Sequence, residues 1–186
     1  LIEEAKNIGL DGFCITEHHA IWPKEEIREL AADHGIRIFR GNEITTAQGD
    51  VLVFGMEENI EGVIPIQMLK KKVEAAGAFS ILAHPFRGFK IVGISDLKMS
   101  VEQASKKKAF GFVDAVEIRN GKVSEQDNQM AEDVAALLGL PGTAGSDAHN
   151  VDELGRFVTI FENQIQSEEE LIAELKGGKF SIGSMR

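Results

Sequence analysis

The sequence is poor in several residue types, and each shortage excludes a class of protein. Its 186 residues include one cysteine, Cys14, and no tyrosine. A single cysteine excludes an internal disulfide framework and is compatible with the reducing cytoplasm, where we expect the protein to reside. No apolar run approaches the roughly 20 residues that a membrane-spanning helix needs, so we expect no membrane partner.

Positive charge is also scarce. Asp and Glu number 30 against 20 Lys and Arg, which gives a formal net charge of −10. Because phosphate backbones are held by Lys and Arg, this balance argues against a general nucleic-acid binder. An anionic substrate would have to meet a few local arginines or bound metal ions.

Three common motifs are missing as well. No P-loop, no Gly-x-Gly-x-x-Gly and no Gly-x-Ser-x-Gly follows a predicted strand. NTPase, dinucleotide-binding and serine-hydrolase functions therefore lose their main support. Cys14 lies inside an apolar strand, and we expect it to be a small core residue.

What the sequence does contain is an alternation of short apolar strands and amphipathic helices. This pattern predicts an α/β fold with a mostly parallel sheet covered by helices, either an open doubly wound sheet or a closed barrel. The long irregular stretch from Phe86 to Met99 is expected to be a lid or substrate loop. The predicted strands lie in GFCIT, IRIFRGNEIT, DVLVFG, FSILAHP, AVEIRN, LPGTAG and RFVTIF.

The chain opens in the middle of a helical pattern. Leu1, Ile2, Ala5 and Ile8 have helical spacing from the first residue onward. We therefore expect residues 1–186 to form a single domain that is N-terminally truncated, or whose first segment is not included.

Ionisable residues collect at the ends of the predicted strands. Because the carboxyl ends of parallel strands meet at one edge of a sheet, these side chains are expected to converge there. Asp50, at the start of a strand, is left open between a ligand and a turn residue. The strand-end residues are His18, His19, Glu43, His84, Asp147 and His149.

Imidazole and carboxylate groups are the ligand set of Zn, Mn and Fe. A carboxylate can also bridge two metals, and a metal pair can activate water and neutralise a phosphoryl or acyl oxygen. Bound divalent cations would thus allow an acidic protein to bind an anion.

Each candidate also has a structural alternative. His18 could be a buried histidine bonded to the backbone, and Glu43 could cap a turn. His19 fits the wall of a pocket better than a ligand position. His34, at the end of a predicted helix, is expected to interact only with the helix dipole.

Glu117 is the unusual residue of the set. It lies between Val116 and Ile118 in a predicted strand and points to the opposite face, where a charge needs a partner. We expect a structural ion pair with Arg37 or Arg119.

Five segments in this order, ITEHH, GNEIT, LAHPF, VEIRN and GSDAH, resemble the PHP (polymerase and histidinol phosphatase) family of metal-dependent phosphoesterases. The resemblance implies a distorted seven-stranded β/α barrel with two or three metals at the carboxyl edge of the strands. The family's first strand, with its His-x-His pair, has no counterpart here, so the barrel is expected to lack that strand. Asp50 stands where the family often has His, a change that would favour oxygen-preferring metals such as Mn.

The resemblance also implies a role for each matched residue. Glu43 would bridge two metals, and His18 or His149 would help to protonate the leaving group if not saturated by metal. Arg87 and Arg119 would hold the substrate phosphate, with His19 nearby as a further substrate contact. The other implied metal ligands are Asp147 on the first metal, His84 and Asp50 on the second, and His18 and His149 on the third.

The function that follows is hydrolysis of a phosphoester by metal-activated water, with two or three divalent Zn, Mn or Fe ions. We expect a small phosphorylated metabolite or nucleotide as substrate, and no nucleic-acid partner beyond a short oligonucleotide. The alternative is a PHP module, proofreading or structural, of a larger nucleic-acid enzyme. Amide or lactone hydrolysis is a third possibility, but there a carbamylated Lys or a His would be expected in place of Glu43.

Overall fold

The computed structural model describes residues 1–18, 20–87 and 99–186, which form six α-helices and eight strands. Two short 3-10 turns, Lys108–Phe112 and Val151–Glu153, complete the elements. The helices are α1 (Ile2–Asn7), α2 (Lys24–His34), α3 (Ile66–Ala76), α4 (Val101–Ala104), α5 (Glu125–Leu138) and α6 (Glu168–Gly177). The strands are β1 (Gly12–His18), β2 (Arg37–Thr46), β3 (Gly49–Phe54), β4 (Phe79–Leu82), β5 (Ala115–Asn120), β6 (Gly142–Gly145), β7 (Val158–Phe161) and β8 (Phe180–Gly183).

The strands form a mixed α/β structure with two sheets. β1 to β6 lie side by side in chain order in one six-stranded sheet that curls into a half-barrel, and β7 pairs with β8 in a second, antiparallel sheet. Five strands of the large sheet run in the same direction, and β3 alone is antiparallel to both of its neighbours. The predicted α/β class and mostly parallel sheet are therefore observed.

The reversal of β3 has a local cause. Only Ala47 and Gln48 separate β2 from β3, and a link of two residues permits a hairpin but not the crossover that parallel strands require. Asp50 pairs with Thr45 in this hairpin, two positions beyond Glu43 on β2. The start of β3 consequently lies at the edge where β1 and β2 end.

Each of the seven segments predicted to be a strand overlaps an observed strand, but β8 was not predicted. Its sequence follows the closing helix directly, after Gly178 in the left-handed conformation. Thr159 of β7 joins the small sheet to the large one, because its hydroxyl both donates to the carbonyl of Ala144 at 2.9 Å and accepts its N–H at 3.0 Å.

Helices cover both faces of the large sheet. On one face, α3 and α5 pack on strand residues that alternate along the chain with Glu43, Asp50 and Glu117. On the other face, α6 packs on an aromatic cluster. The first face buries Ile44, Val51, Val53, Leu69, Val73, Leu82, Val116 and Val134. The second buries Phe39, Phe54, Phe79, Ile81, Leu171 and Leu175.

Cys14 was expected in the core, and the structure shows that this is wrong. Phe13 and Ile15 pack with α1 and α2 residues, so Cys14 projects from the opposite side of β1. The side chain of Cys14 is exposed there.

A buried arginine anchors α6 to the sheet. The side chain of Arg40 on β2 is 2% exposed and pairs with Glu168 at the start of α6 and with Glu57. Its guanidinium also donates to the carbonyl of Trp22 at 3.1 Å. These contacts join β2 to three other segments of the chain.

Serine side chains cap the first turns of two helices. Ser124 and Ser167 accept hydrogen bonds from the N–H groups of Asp127 and Glu170, at the starts of α5 and α6. Most of the predicted lid, residues 88–98, lies outside the described residues. Within the part of the chain that the structure describes, none of the helices has both the length and the apolar character needed to traverse a bilayer.

Candidate metal centre

Glu43, near the end of β2, is shared between two histidines. Its Oε1 lies 3.2 Å from Nε2 of His84, and its Oε2 lies 3.4 Å from Nε2 of His18. The parallel register between β1 and β2 places His18 directly opposite Glu43. Because its two oxygens face different imidazoles, the carboxylate of Glu43 connects His18 on one side with His84 on the other.

Asp50 completes a compact group. Glu43, Asp50 and His84 each offer a ligand atom, and these atoms lie within 4.8 Å of one another. Asp50 reaches this group through the reversed strand β3, not from the carboxyl end of a parallel strand. Asp50 thus lies beside two other predicted ligands while also beginning the second strand of the hairpin.

Two of the proposed ligands adopt an unusual backbone conformation. Among the described non-glycine residues, only His84 (φ 28°) and Asp147 (φ 51°) have positive φ. Such conformations cost on the order of 1–3 kcal/mol each and persist where surrounding contacts hold them in place. Both residues follow the carboxyl ends of strands in the large sheet, where the sequence predicts metal ligands.

The charge state of His84 depends on its acidic surroundings. Burial lowers the pKa of the imidazole, but its hydrogen bond to Glu43 and the charges of Glu117 and Glu43 outweigh burial, so the pKa of His84 is raised. In the metal-free chain His84 is thus held toward its protonated form, and a bound cation would have to displace that proton.

Glu117 does not form the ion pair expected from the sequence. Its carboxylate instead accepts hydrogen bonds from the backbone N–H of His84 at 2.9 Å and from Nδ2 of Asn120 at 3.0 Å. Burial raises the pKa of Glu117 to about 7, against the opposing effect of these two hydrogen bonds. Arg37 instead hydrogen-bonds to Gln166.

Arg119 is directed away from this group. The pairing of β5 with β6 shifts register between Glu117 and Arg119, and this irregularity breaks the alternation that would place both on one face. Arg119 pairs with Glu132 at 2.5 Å and with Glu125 at 3.4 Å, both on α5. The expected phosphate contact of Arg119 finds no support in these partners.

Asp147 and His149 lie on the loop after β6. Asp147 Oδ2 accepts from Arg87 Nη1 at 2.8 Å and from Asn120 Nδ2 at 3.3 Å. Nδ1 of His149 lies 3.0 Å from the carbonyl oxygen of Asp147, and its side chain is 69% exposed. Glu153 holds the loop by accepting the N–H of His149 at 2.8 Å.

The sequence-predicted residues therefore fall into two connected groups. The first contains His18, Glu43, Asp50 and His84, and the second contains Arg87, Asp147 and His149. Hydrogen bonds through Glu117 and Asn120 join them. His19 lies outside the described residues, and His34 contacts Glu3 beside the end of α2, away from either group.

Sequence reasoning missed Asn120 and Asn128. Both are buried, and Asn128 of α5 hydrogen-bonds to the backbone of Asn120 through both its amide oxygen and its amide nitrogen. An asparagine at the end of an apolar strand, three residues after a buried glutamate, was the available signal.

The donor set fits a divalent metal. Imidazole nitrogen and carboxylate oxygen atoms from different strands lie within a few ångströms of one another, and both are ligands of Zn, Mn and Fe. Glu43 with one oxygen toward each histidine also fits a carboxylate between two ions. Divalent metal binding is thus consistent with these side chains, whereas the number and identity of the ions stay predictions.

Comparison with known proteins supports the family resemblance. A family model described as PHP-associated matches residues 125–180, from the start of α5 to the start of β8. An uncharacterized protein of Methanocaldococcus jannaschii is 28% identical over 87 residues, which cover 46% of this chain and 50% of that protein. The match thus spans about half the length of this relative.

Two solved structures share the fold. A two-domain Bacteroides vulgatus protein, described as containing a predicted PHP-like metal-dependent phosphoesterase, has a TM-score of 0.68 at 19% identity, over 98% of this chain and 58% of that one. The lesion-specific Endonuclease Q of Pyrococcus furiosus has a TM-score of 0.58 at 17% identity, over 97% and 51%. The family model that matches part of the chain and the shared fold support the resemblance to the PHP family that the sequence indicates.

Proposed function

We propose that the chain is a metal-dependent hydrolase of phosphoesters. The observation that carries the proposal is Glu43, with one carboxylate oxygen facing His18, the other facing His84, and Asp50 beside them. The Bacteroides vulgatus structure, whose description names a metal-dependent phosphoesterase, supports the same chemistry.

The metal ligands in this proposal are His18, Glu43, Asp50, His84, Asp147 and His149. Divalent ions bound there would supply an acidified water as nucleophile and positive charge for the phosphoryl oxygens. Glu43 would hold two ions through its separate oxygens. Asp147 would change partner on metal binding, because its Oδ2 now accepts from Arg87.

Arg87 and His149 are the side chains best placed to act on substrate. The guanidinium of Arg87 is 46% exposed beside Asp147, so it can contact a phosphoryl oxygen and stabilise developing charge. Nδ1 of His149 faces a carbonyl oxygen, which leaves Nε2 to bind metal or to exchange a proton with the leaving oxygen. Substrate contacts by Arg119 and His19 have no support from the described residues.

We propose a small phosphorylated metabolite or nucleotide as substrate. The net charge of −10 disfavours long nucleic acids, since few cations are left to neutralise a phosphate backbone. The fold shared with Endonuclease Q supports a second candidate, in which this chain is the PHP part of a larger nucleic-acid enzyme.

The seven-stranded barrel without its first strand, and the single-domain organisation of residues 1–186, stay predictions of the family resemblance. In the described residues β1 pairs with β2 alone, so the free side of β1 is where a further strand would pair.

The experiment compares Glu43→Ala with Glu61→Ala, which removes a glutamate from an exposed loop position. We measure bound metal by elemental analysis and turnover on phosphomonoesters, dinucleotides and an abasic DNA duplex. We expect Glu43→Ala to lose both metal and turnover and Glu61→Ala to keep both.

Three results bear on the alternatives. Normal metal content and turnover in Glu43→Ala would eliminate its role in the site. Cleavage of the duplex in preference to small substrates would favour the nucleic-acid enzyme. Metal binding by the wild type without hydrolysis of any phosphoester would contradict the proposed reaction while leaving the metal site intact.

A further inference from the structure

We propose that Asn120 is a positioning residue, which sets the Asp147 loop and the His84 turn relative to each other so that both can bind one metal cluster. The inference rests on the proposed metal-dependent function. Asn120 would not touch substrate or metal; it would act through the residues that do.

The amide of Asn120 connects two carboxylates. The residue is 1% exposed, and its Nδ2 donates to Glu117 Oε2 at 3.0 Å and to Asp147 Oδ2 at 3.3 Å. A primary amide has two N–H groups, so one side chain can serve both acceptors at once. Its Oδ1 accepts the N–H of Lys122 at 2.8 Å, which fixes which end of the amide faces the carboxylates.

Glu117 extends the connection to the other group of ligands. The same oxygen that accepts from Asn120 also accepts the backbone N–H of His84 at 2.9 Å. A continuous path of hydrogen bonds therefore runs from His84 through Glu117 and Asn120 to Asp147, and it joins residues 63 positions apart in sequence.

The path ends at the two strained residues. His84 and Asp147 both have positive φ, a conformation that needs support from surrounding contacts. Hydrogen bonds behind a metal ligand fix its orientation, and removing such a partner commonly weakens metal affinity roughly ten- to hundredfold. Asn120 contacts the side chain of one of these residues and, through Glu117, the backbone of the other.

Asn128 provides a matched comparison. It is 3% exposed and belongs to the same network, where its Oδ1 accepts the N–H of Asn120 at 2.9 Å and its Nδ2 donates to the carbonyl of Asn120 at 3.2 Å. The hydrogen bonds of its side chain go to backbone atoms of Asn120 and not to either carboxylate. If both asparagines served only to stabilise the fold, replacing either one should change metal affinity to the same extent.

The experiment measures Zn²⁺ and Mn²⁺ affinity by competition with a chromophoric chelator, together with thermal unfolding of the metal-free protein. The variants are Asn120→Ala, Asn120→Leu and Asn128→Ala; the leucine keeps the side-chain volume and serves if the alanine variant does not fold. We expect both Asn120 variants to bind metal roughly ten- to hundredfold more weakly, and Asn128→Ala to lose stability but stay within about threefold of wild-type affinity.

The outcomes separate this inference from the proposed function. Wild-type protein that binds neither metal would overturn the metal site and the inference together. Tight binding by the wild type and unchanged binding by the Asn120 variants would overturn the inference alone. An equal loss of affinity in Asn128→Ala would also overturn it, because general loosening of the network would then explain the effect.

Discussion

Replacing Glu117 with glutamine should remove a pH-dependent cost from the metal-free protein. Burial raises the pKa of Glu117 from its ordinary value of 4.5 to about 7. The folded state therefore binds this proton more tightly than the unfolded state does. The stability that the protonated Glu117 contributes is fully present below about pH 4.5 and is lost as the pH rises to about 7. The difference amounts to roughly 3 kcal/mol in the free energy of unfolding.

Glutamine is a suitable replacement because of how Glu117 is held. Both hydrogen bonds to the side chain, from the N–H of His84 and from Asn120, end on the same oxygen, Oε2. The amide oxygen of glutamine can take that position and keep both bonds, whereas the carboxylate's ionisation is abolished.

The assay is urea unfolding, monitored by circular dichroism in the presence of EDTA. It is repeated at several pH values between the ordinary and the raised pKa of Glu117 and at values above both. Near the ordinary pKa the variant and the wild type should be about equally stable. Above the raised pKa, Glu117→Gln should be the more stable by up to roughly 3 kcal/mol. The charge of Glu117 also helps to raise the pKa of His84, so the measured difference contains the coupled titration of this pair. A constant difference across the whole pH range would refute the reasoning.

Two further substitutions test the fold and the loop geometry. Arg40→Met should cost roughly 1–3 kcal/mol in urea unfolding, because it removes the hydrogen bonds from the buried guanidinium to the half-buried carboxylate of Glu168; no measurable cost would contradict this. In Gly121→Ala the new Cβ would lie 2.3 Å from the backbone oxygen of Ser146, next to the Asp147 loop, so Zn²⁺ affinity should fall. Gly111→Ala, where no atom lies within 4 Å of the added Cβ, is the matched control and should bind Zn²⁺ as the wild type does.

Much of the fold could be predicted because its signals are local. The strands and the caps at Ser124 and Ser167 are each specified by a few neighbouring residues, and they appear where the pattern places them. The two-residue link after Thr46 is also visible in the sequence, although its consequence, the reversal of β3, was not drawn from it. β8 was missed because only two apolar residues, Phe180 and Ile182, alternate after the end of α6, which is too short a pattern to indicate a strand.

The candidate site was predictable in its residue types but not in its contacts. Histidine and carboxylate residues at strand ends indicated the group around Glu43, which the structure places together. The partners of Glu117 and Arg119 were not predictable, because the register shift in β5 depends on how that strand pairs with β6. That pairing joins residues more than twenty positions apart, and no local pattern reports it.

The sequence by itself therefore determined which residues form strands and helices, and which chemical groups arrive at the edge of the sheet, since both follow from spacing along the chain. Only the tertiary structure decided how those groups are connected: that Asp50 enters from a reversed strand, that Arg119 turns to α5, and that Asn120 joins Glu117 to Asp147. The physical reason is that hydrogen bonds in a buried network depend on distances and directions between strands, which are set by register, curvature and packing of the whole sheet.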